Sequence, residues 1–286
     1  MARRVYVNGR YLPYAQAMIH AEDRGFLFGD AVYEVCTIED GRIVDERRHL
    51  DRLDRSLAEI GMAQPMSRPA LHRVMKETVR QNGVRDGIVY LEISRGAAGP
   101  RNFRFPSPGT RPTVVCLARS ISRRRLDEAA TKGIAVVTVR DIRWHRPDIK
   151  TVQLLAAVLA KEEAAARGGA EAWLVDPTGY VTEGASSNAW IVAGNGRVVT
   201  RPAEHGILRG VTRMVLLDVL AAEGLTLCER AFRVEEAYEA HEAFITSASN
   251  TVMPVVSIDG HQLGEGRPGP VTMRLRKAFA TGSEYT

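Results

Sequence analysis

With 286 residues, 45% of them apolar and 26% charged, the chain can bury real cores and exceeds the usual size of one domain, so two domains are expected. A formal net charge of +5 is dispersed among acidic residues, and the arginine clusters Arg47-Arg48 and Arg123-Arg124-Arg125 lack interleaved aromatics, which argues against a nucleic-acid surface. Cys36, Cys116 and Cys228 show no CxxC or Cys/His spacing, which argues against a metal site or a disulfide framework and fits buried thiols in a reducing compartment.

The N-terminal stretch MARRVYVNGR runs into a strand without the apolar core of a signal peptide. No window approaches the roughly 18 uninterrupted apolar residues of a membrane span, so a cytoplasmic protein without a membrane partner is expected. Val5 to Pro13 reads as a hairpin around Asn8-Gly9. Glu22 to Asp30 is a glycine-punctuated polar loop leading into a strand, in which alternation puts Tyr33, Val35 and Thr37 on one face. Arg47 to Met62 carries Leu50, Leu53, Leu57 and Ile60 on one helical stripe, and Pro69 to Gln81 is its partner. Ile88 to Ser94 and Pro112 to Ala118 are strands around a loop, Gly96 to Arg111, long enough for a functional excursion.

The domains expected are residues 1–120, a connection at 121–133 and residues 134–286. In the second, Ile134 to Val139 is a strand and Val152 to Leu159 a helix stopped by Gly168-Gly169, with Lys150 at the junction between them. Strands Ala170 to Val175 and Ala189 to Val192 follow, then a helix opened by Gly210-Val211-Thr212-Arg213. A strand at Phe244 leads into Ser247-Ala248-Ser249, and a last helix ends near Ala280. No internal repeat is present. The pattern is α+β: two halves rich in antiparallel sheet with flanking helices.

Lys150 is one of five lysines in a chain whose positive charge is nearly all arginine. Hemmed in by Ile149, Val152 and Leu154, it reads either as a surface lysine after a turn or as an amine whose apolar setting favours Schiff-base chemistry. Glu183, beside Gly184 in a Ser/Asn run, is either an exposed turn glutamate or the partner of a protonated ring nitrogen. Gly210-Val211-Thr212 at a helix start, Ser247-Ala248-Ser249 after a strand, and Arg52 are caps, turns and a solvated charge, or they are an anion cradle. An amine, a carboxylate and a phosphate cradle together describe a site for pyridoxal 5'-phosphate.

Six motifs in order carry a family likeness: Asp23-Arg24-Gly25-x2-Phe28-Gly29-Asp30-x-Val32-Tyr33-Glu34-Val35, His49-Leu50-Asp51-Arg52-Leu53, Asp148-Ile149-Lys150, Thr182-Glu183-Gly184-x-Ser186-Ser187-Asn188, Leu208-x-Gly210-Val211-Thr212-Arg213 and Thr246-Ser247. Over nearly its whole length the sequence resembles the fold-type IV (class IV) pyridoxal-phosphate aminotransferases, nearest to bacterial D-amino-acid transaminases. The resemblance implies a homodimer with the cofactor in an interdomain cleft and Lys150 on the second domain. It implies Lys150 as the Schiff-base lysine and proton shuttle, and Glu183 as the carboxylate at the pyridine nitrogen. Arg52, Ser187, Asn188, Gly210, Val211, Thr212, Ser247, Ala248 and Ser249 take cofactor-binding positions, and Leu208 the position packed against the ring.

Tyr33 and Val35 match substrate-side positions. The carboxylate trap of D-amino-acid transaminases is Arg-x-His. Here Arg101 is present, Phe103 stands where the histidine is expected, and Arg104 offers a second guanidinium of bidentate geometry. The activity implied is transfer of an amino group between a D-alanine-like amino acid and 2-oxoglutarate or pyruvate by a ping-pong route. The same scaffold also serves branched-chain L-amino-acid aminotransferases, (R)-amine transaminases and aminodeoxychorismate lyases. Against the L-enzymes, Tyr90 to Arg95 lacks their Tyr-x-Arg-Pro pattern.

Overall fold

In the structure, a computed structural model that describes residues 3–204 and 206–286, Asn8 and Gly9 both take positive φ, 48° and 94°. That is the type I′ turn whose twist suits a two-residue hairpin, and it joins β1 (Arg4–Val7) to β2 (Arg10–Pro13). The segment expected as a loop before the next strand contains a short helix, α1 (Arg24–Phe28). The Asp23 carboxylate caps it through the Gly25 N–H, and Gly29 closes it at φ 67°. Five residues are too few for an apolar period to register, which is why only the glycines stood out.

Next come β3 (Ala31–Glu39), β4 (Arg42–Ile43), α2 (Glu46–Glu59), α3 (Arg68–Gln81), β5 (Gly87–Ser94) and β6 (Thr113–Ser120). These strands form an antiparallel sheet in the order β2-β1-β6-β5-β3-β4. Leu50, Leu53 and Leu57 of α2 and Leu71 and Met75 of α3 pack with Cys36, Ile38, Val89, Leu91 and Ile93 in one core. Alternation along β3 and β5 leaves Tyr33, Val35, Tyr90 and Glu92 half-buried on the opposite sheet face.

Two distant segments complete this unit, Ile149–Gln153 and Glu284–Thr286. The first runs beside β3: the Tyr33 N–H donates to the Lys150 carbonyl at 3.0 Å, and the Val152 N–H to that of Ala31 at 3.2 Å. Ile149 is buried in the same core. Lys150, expected on the second domain, therefore packs with the first sheet.

The second unit comprises Arg123–Asp148 and Leu154–Ser283. It begins with α4 (Arg123–Lys132), which takes up most of the stretch read as a connection. Its charged residues face outward, while Ala130 enters the core. The unit continues through β7 (Ile134–Arg140), α5 (Leu155–Ala166), β8 (Glu171–Val175), β9 (Val181–Gly184), β10 (Asn188–Val192), β11 (Val198–Thr200) and α6 (Val211–Ala222). It ends with β12 (Leu227–Glu229), α7 (Val234–Tyr238), β13 (Glu242–Ser247), β14 (Thr251–Ile258), β15 (His261–Gln262) and α8 (Pro270–Gly282).

The sheet order is β12-β11-β10-β13-β14-β7-β8-β9, with β15 on β14. The pairs β11/β12, β14/β7 and β7/β8 are parallel and the others antiparallel. Helices α6 and α8 cover one face through Leu216, Leu220, Leu275 and Phe279 against Trp190 and Phe244, while α5 packs Ala160 and Ala164 on β7 and β8. Among the described residues, no helix is long and apolar enough to cross a membrane.

Candidate active site

In the first unit the site is built on β3. Lys150, fixed by its backbone beside this strand, holds its Nζ 4.1 Å from the centre of the Tyr33 ring. Tyr33 stacks on Tyr90 at 5.5 Å, and the Tyr90 hydroxyl donates to Glu92 at 2.6 Å. On the opposite, helix-facing side of β3, Glu34 is 1% exposed. Arg52 clasps it through Nε and Nη2 at 2.8 and 2.7 Å, and His49 Nδ1 lies 2.7 Å from Oε2, the oxygen that Nη2 also reaches. Burial works to raise the Glu34 pKa, but the Arg52 charge and the hydrogen bonds from Arg52 and His49 outweigh it and bring it down to about 2. Glu34 is therefore a carboxylate at neutral pH and orients the arginine.

The loop of the expected carboxylate trap is tied to the same unit. Asp30 accepts from Arg24 Nε at 2.7 Å and Arg95 Nε at 2.8 Å. Burial raises its pKa and the two arginine hydrogen bonds reverse that, so it is held below the ordinary aspartate value. Arg24 Nη1 then donates to the carbonyls of Asn102 and Arg104, and Arg95 lies over the Phe105 ring. Arg101 and Arg104 are both exposed. The Arg101 guanidinium lies over the rings of Phe28 and Phe103, at 5.0 and 4.9 Å. Phe103 thus gives Arg101 an aromatic seat in place of a second donor.

In the second unit Glu183 is 3% exposed on β9. It accepts from Arg143 Nη1, from Asn188 Nδ2 at 2.9 Å, and from the Leu208 N–H at 3.1 and 3.2 Å to its two oxygens. Burial pushes its pKa up, and Arg143 and the Leu208 N–H counter part of that rise. Arg143 is itself shared with Asp141, which also accepts from Thr182 Oγ1. Asn188 bridges Glu183 to the Leu208 carbonyl, and its Oδ1 lies 2.2 Å from where a Cβ on Gly210 would sit. A side chain there would have to displace the Asn188 amide.

Gly210 opens α6 without a side-chain cap, which leaves Val211 and Thr212 at the uncapped amide end of the helix. Ser247 ends β13 and Ala248 and Ser249 lie in the turn after it, with Ser247 Oγ accepting from the Asn250 N–H. Ser187 is placed differently. Its hydroxyl donates to buried Glu171, which also accepts from Ser186 and pairs with Lys161.

Residues 31–258 match the family described as amino-transferase class IV. The chain belongs to the class IV aminotransferases. Relatives called D-alanine aminotransferase include one from Staphylococcus haemolyticus, 38% identical over 277 residues and 96% of each chain. Another, from Bacillus licheniformis, is 38% identical over 276 residues, 96% of this chain and 95% of its own. Among solved structures, the Escherichia coli branched-chain amino acid aminotransferase is similar at a TM-score of 0.89 and 26% identity, covering 98% of this chain and 94% of that one. The T.th. branched-chain amino acid aminotransferase with pyridoxamine 5'-phosphate is similar at 0.88 and 27%, covering 98% and 93%. The fold is that of the fold-type IV enzymes, and the cofactor of this aminotransferase is pyridoxal 5'-phosphate.

Five residues of the aminotransferase's two clusters escaped the sequence reading: Arg143, Asp141, Tyr90, Glu92 and the ionic role of Glu34. Asp141 and Arg143 had a signal, opposite charges two residues apart just past a buried strand. Glu34 had one as well, since a carboxylate at an inward position of an alternating strand demands a cation. Tyr90 and Glu92 had none, because only the β3–β5 register brings them beside Tyr33 and Val35.

Proposed function

We propose that this aminotransferase moves the amino group between a D-amino acid of the D-alanine kind and a 2-oxo acid, 2-oxoglutarate or pyruvate. The observation carrying this reading is 38% identity over 277 residues to a relative called D-alanine aminotransferase, against 26% to the branched-chain enzyme of E. coli. A branched-chain L-amino-acid activity is the second reading, favoured by the TM-score of 0.89.

The residues present fit a phosphorylated pyridine cofactor. Glu183 is a buried carboxylate held in place by Arg143, Asn188 and the Leu208 N–H, an acceptor whose charge suits a protonated ring nitrogen. The first turn of α6, uncapped by any side chain, suits a phosphate. Pyridoxal phosphate supplies the electron sink that stabilises negative charge at the substrate Cα. Lys150 Nζ would hold the cofactor's reactive carbon and would carry the proton to and from the substrate Cα. Glu183 keeps the ring nitrogen protonated, with Arg143 and Asn188 fixing the carboxylate. Val211, Thr212, the Ser247–Ser249 turn and Arg52, aimed by Glu34, hold the phosphate. Tyr33 and Val35 line the substrate side, and Arg101 takes the substrate carboxylate.

We also propose a cytoplasmic homodimer. The exposed apolar residues of α5, Leu155 (72%), Val158 (53%) and Leu159 (53%), support a second copy as their cover. The test of function is a half-reaction: the holoenzyme is mixed separately with D-alanine, L-leucine and (R)-1-phenylethylamine, and the cofactor absorbance is followed. D-Alanine is expected to bleach it fastest. Fastest bleaching by L-leucine would replace the reading with the branched-chain one.

A further inference from the structure

Register across β3 and β5 sets Glu92 opposite Tyr33 and Tyr90 opposite Val35. From the Lys150 amine a continuous path of contact runs over the Tyr33 ring to the Tyr90 ring, and from the Tyr90 hydroxyl to a Glu92 oxygen at 2.6 Å. Glu92 is half-buried, and among the described residues no cation pairs with it. Its electrostatic neighbour is another carboxylate, Asp23, which is 1% exposed. Asp23 Oδ1 caps α1, while its Oδ2 has no hydrogen-bond partner among the described residues. Burial raises the Glu92 pKa, the Tyr90 hydrogen bond opposes this, and Asp23 adds to it. Elsewhere in this unit Glu34 is matched with Arg52, and Asp30 with Arg24 and Arg95. The far end of this path from the lysine holds two acids and lacks that match.

We propose that Glu92 is a specificity-determining residue that favours amino donors whose side chain ends in a cation, an ammonium or a guanidinium. The inference rests on the D-amino-acid reading above and names the side-chain class within it. A cation arriving from the donor supplies the charge that Glu92 and Asp23 lack, and the Tyr90 hydroxyl fixes the accepting oxygen. A donor with a second carboxylate meets repulsion at the same point. No covalent step is involved.

The test compares D-lysine with D-norleucine, which differ by the terminal ammonium, in the wild-type holoenzyme and in Glu92→Gln and Tyr90→Phe variants. Wild-type kcat/KM is expected to favour D-lysine by about tenfold, the scale of one charge-assisted hydrogen bond. Glu92→Gln should bring that ratio close to one through a higher KM for D-lysine. Tyr90→Phe, which keeps the carboxylate, should retain the preference. A wild-type ratio near one, or a ratio that Glu92→Gln leaves unchanged, overturns the proposal and reduces Glu92 to a brace for Tyr90. D-Alanine is run in parallel. Turnover of D-alanine with a flat lysine-to-norleucine ratio sinks this inference alone, whereas L-leucine turnover without D-alanine turnover sinks the D-amino-acid reading beneath it.

Discussion

The Tyr33 N–H donates to the Lys150 carbonyl, and the Lys150 Nζ lies 4.1 Å from the centre of the Tyr33 ring. Strand β3 therefore sets both the position of the lysine along the sheet and the direction of its side chain. The base of a flexible four-carbon stem is held by backbone bonds to Tyr33 and to Ser56 Oγ, and its end lies over an aromatic face.

Removing that face should loosen the amine without removing it. Tyr33→Leu is expected to lower kcat by about tenfold, within the range that a partly desolvated cation–π contact supplies. The check is steady-state kinetics with the cofactor saturating. An unchanged kcat would mean that the backbone alone positions Lys150.

Acid should attack the Glu34 cluster early. The Glu34 pKa lies at about 2 in the fold against 4.5 without it, so its stabilisation, roughly 3 kcal/mol, is complete above about pH 4.5 and lost as pH falls toward 2. Burial also lowers the pKa of His49. Its neutral form is favoured in the fold, and its contribution fades as pH drops below 6.5. Thermal melts from pH 7 to pH 3 should show a steep loss in the wild type. The Glu34→Gln variant, already destabilised by an uncompensated Arg52, should show a shallower one. Parallel pH profiles in the two proteins would exclude Glu34 as the acid-sensitive group.

Much of this was legible in the sequence, because the signals were local. Asn8-Gly9 announced a hairpin, the leucine stripe announced α2, and Gly210 with its three followers announced the start of α6. What was not legible was relational. Lys150 follows β7 in sequence, yet its carbonyl accepts from β3, more than a hundred residues earlier. No periodicity records such a pairing. Likewise, Ser187 beside Asn188 read as part of one polar run, but the turn sends the two side chains to different carboxylates, Glu171 and Glu183.

That divergence can be measured. Ser187→Ala removes one of several hydrogen bonds to Glu171 and is expected to cost about 1 kcal/mol of stability. Affinity for pyridoxal phosphate should stay within about twofold, since a lost direct bond to a charged phosphate would cost about tenfold or more. Calorimetric melting and a cofactor titration on the same preparation separate the two effects.

Glu183→Gln keeps the shape of the buried group and removes its charge. Turnover is expected to fall by about 10²-fold, the usual loss when a preorganised electrostatic partner is removed from a site. Arg143, left facing a neutral amide and Asp141, should retain its place through the Asp141 pair. Single-turnover rates with D-alanine provide the check. A variant with wild-type rates would remove Glu183 from the chemistry.

The most direct measurement is borohydride reduction of the holoenzyme followed by peptide mass mapping. The chain has five lysines, Lys76, Lys132, Lys150, Lys161 and Lys277. The reduced cofactor is expected on Lys150 alone, and a Lys150→Ala variant is expected to take no label and to lose at least about 10³-fold in turnover. Label on any other lysine, or wild-type turnover in that variant, would contradict this role for Lys150.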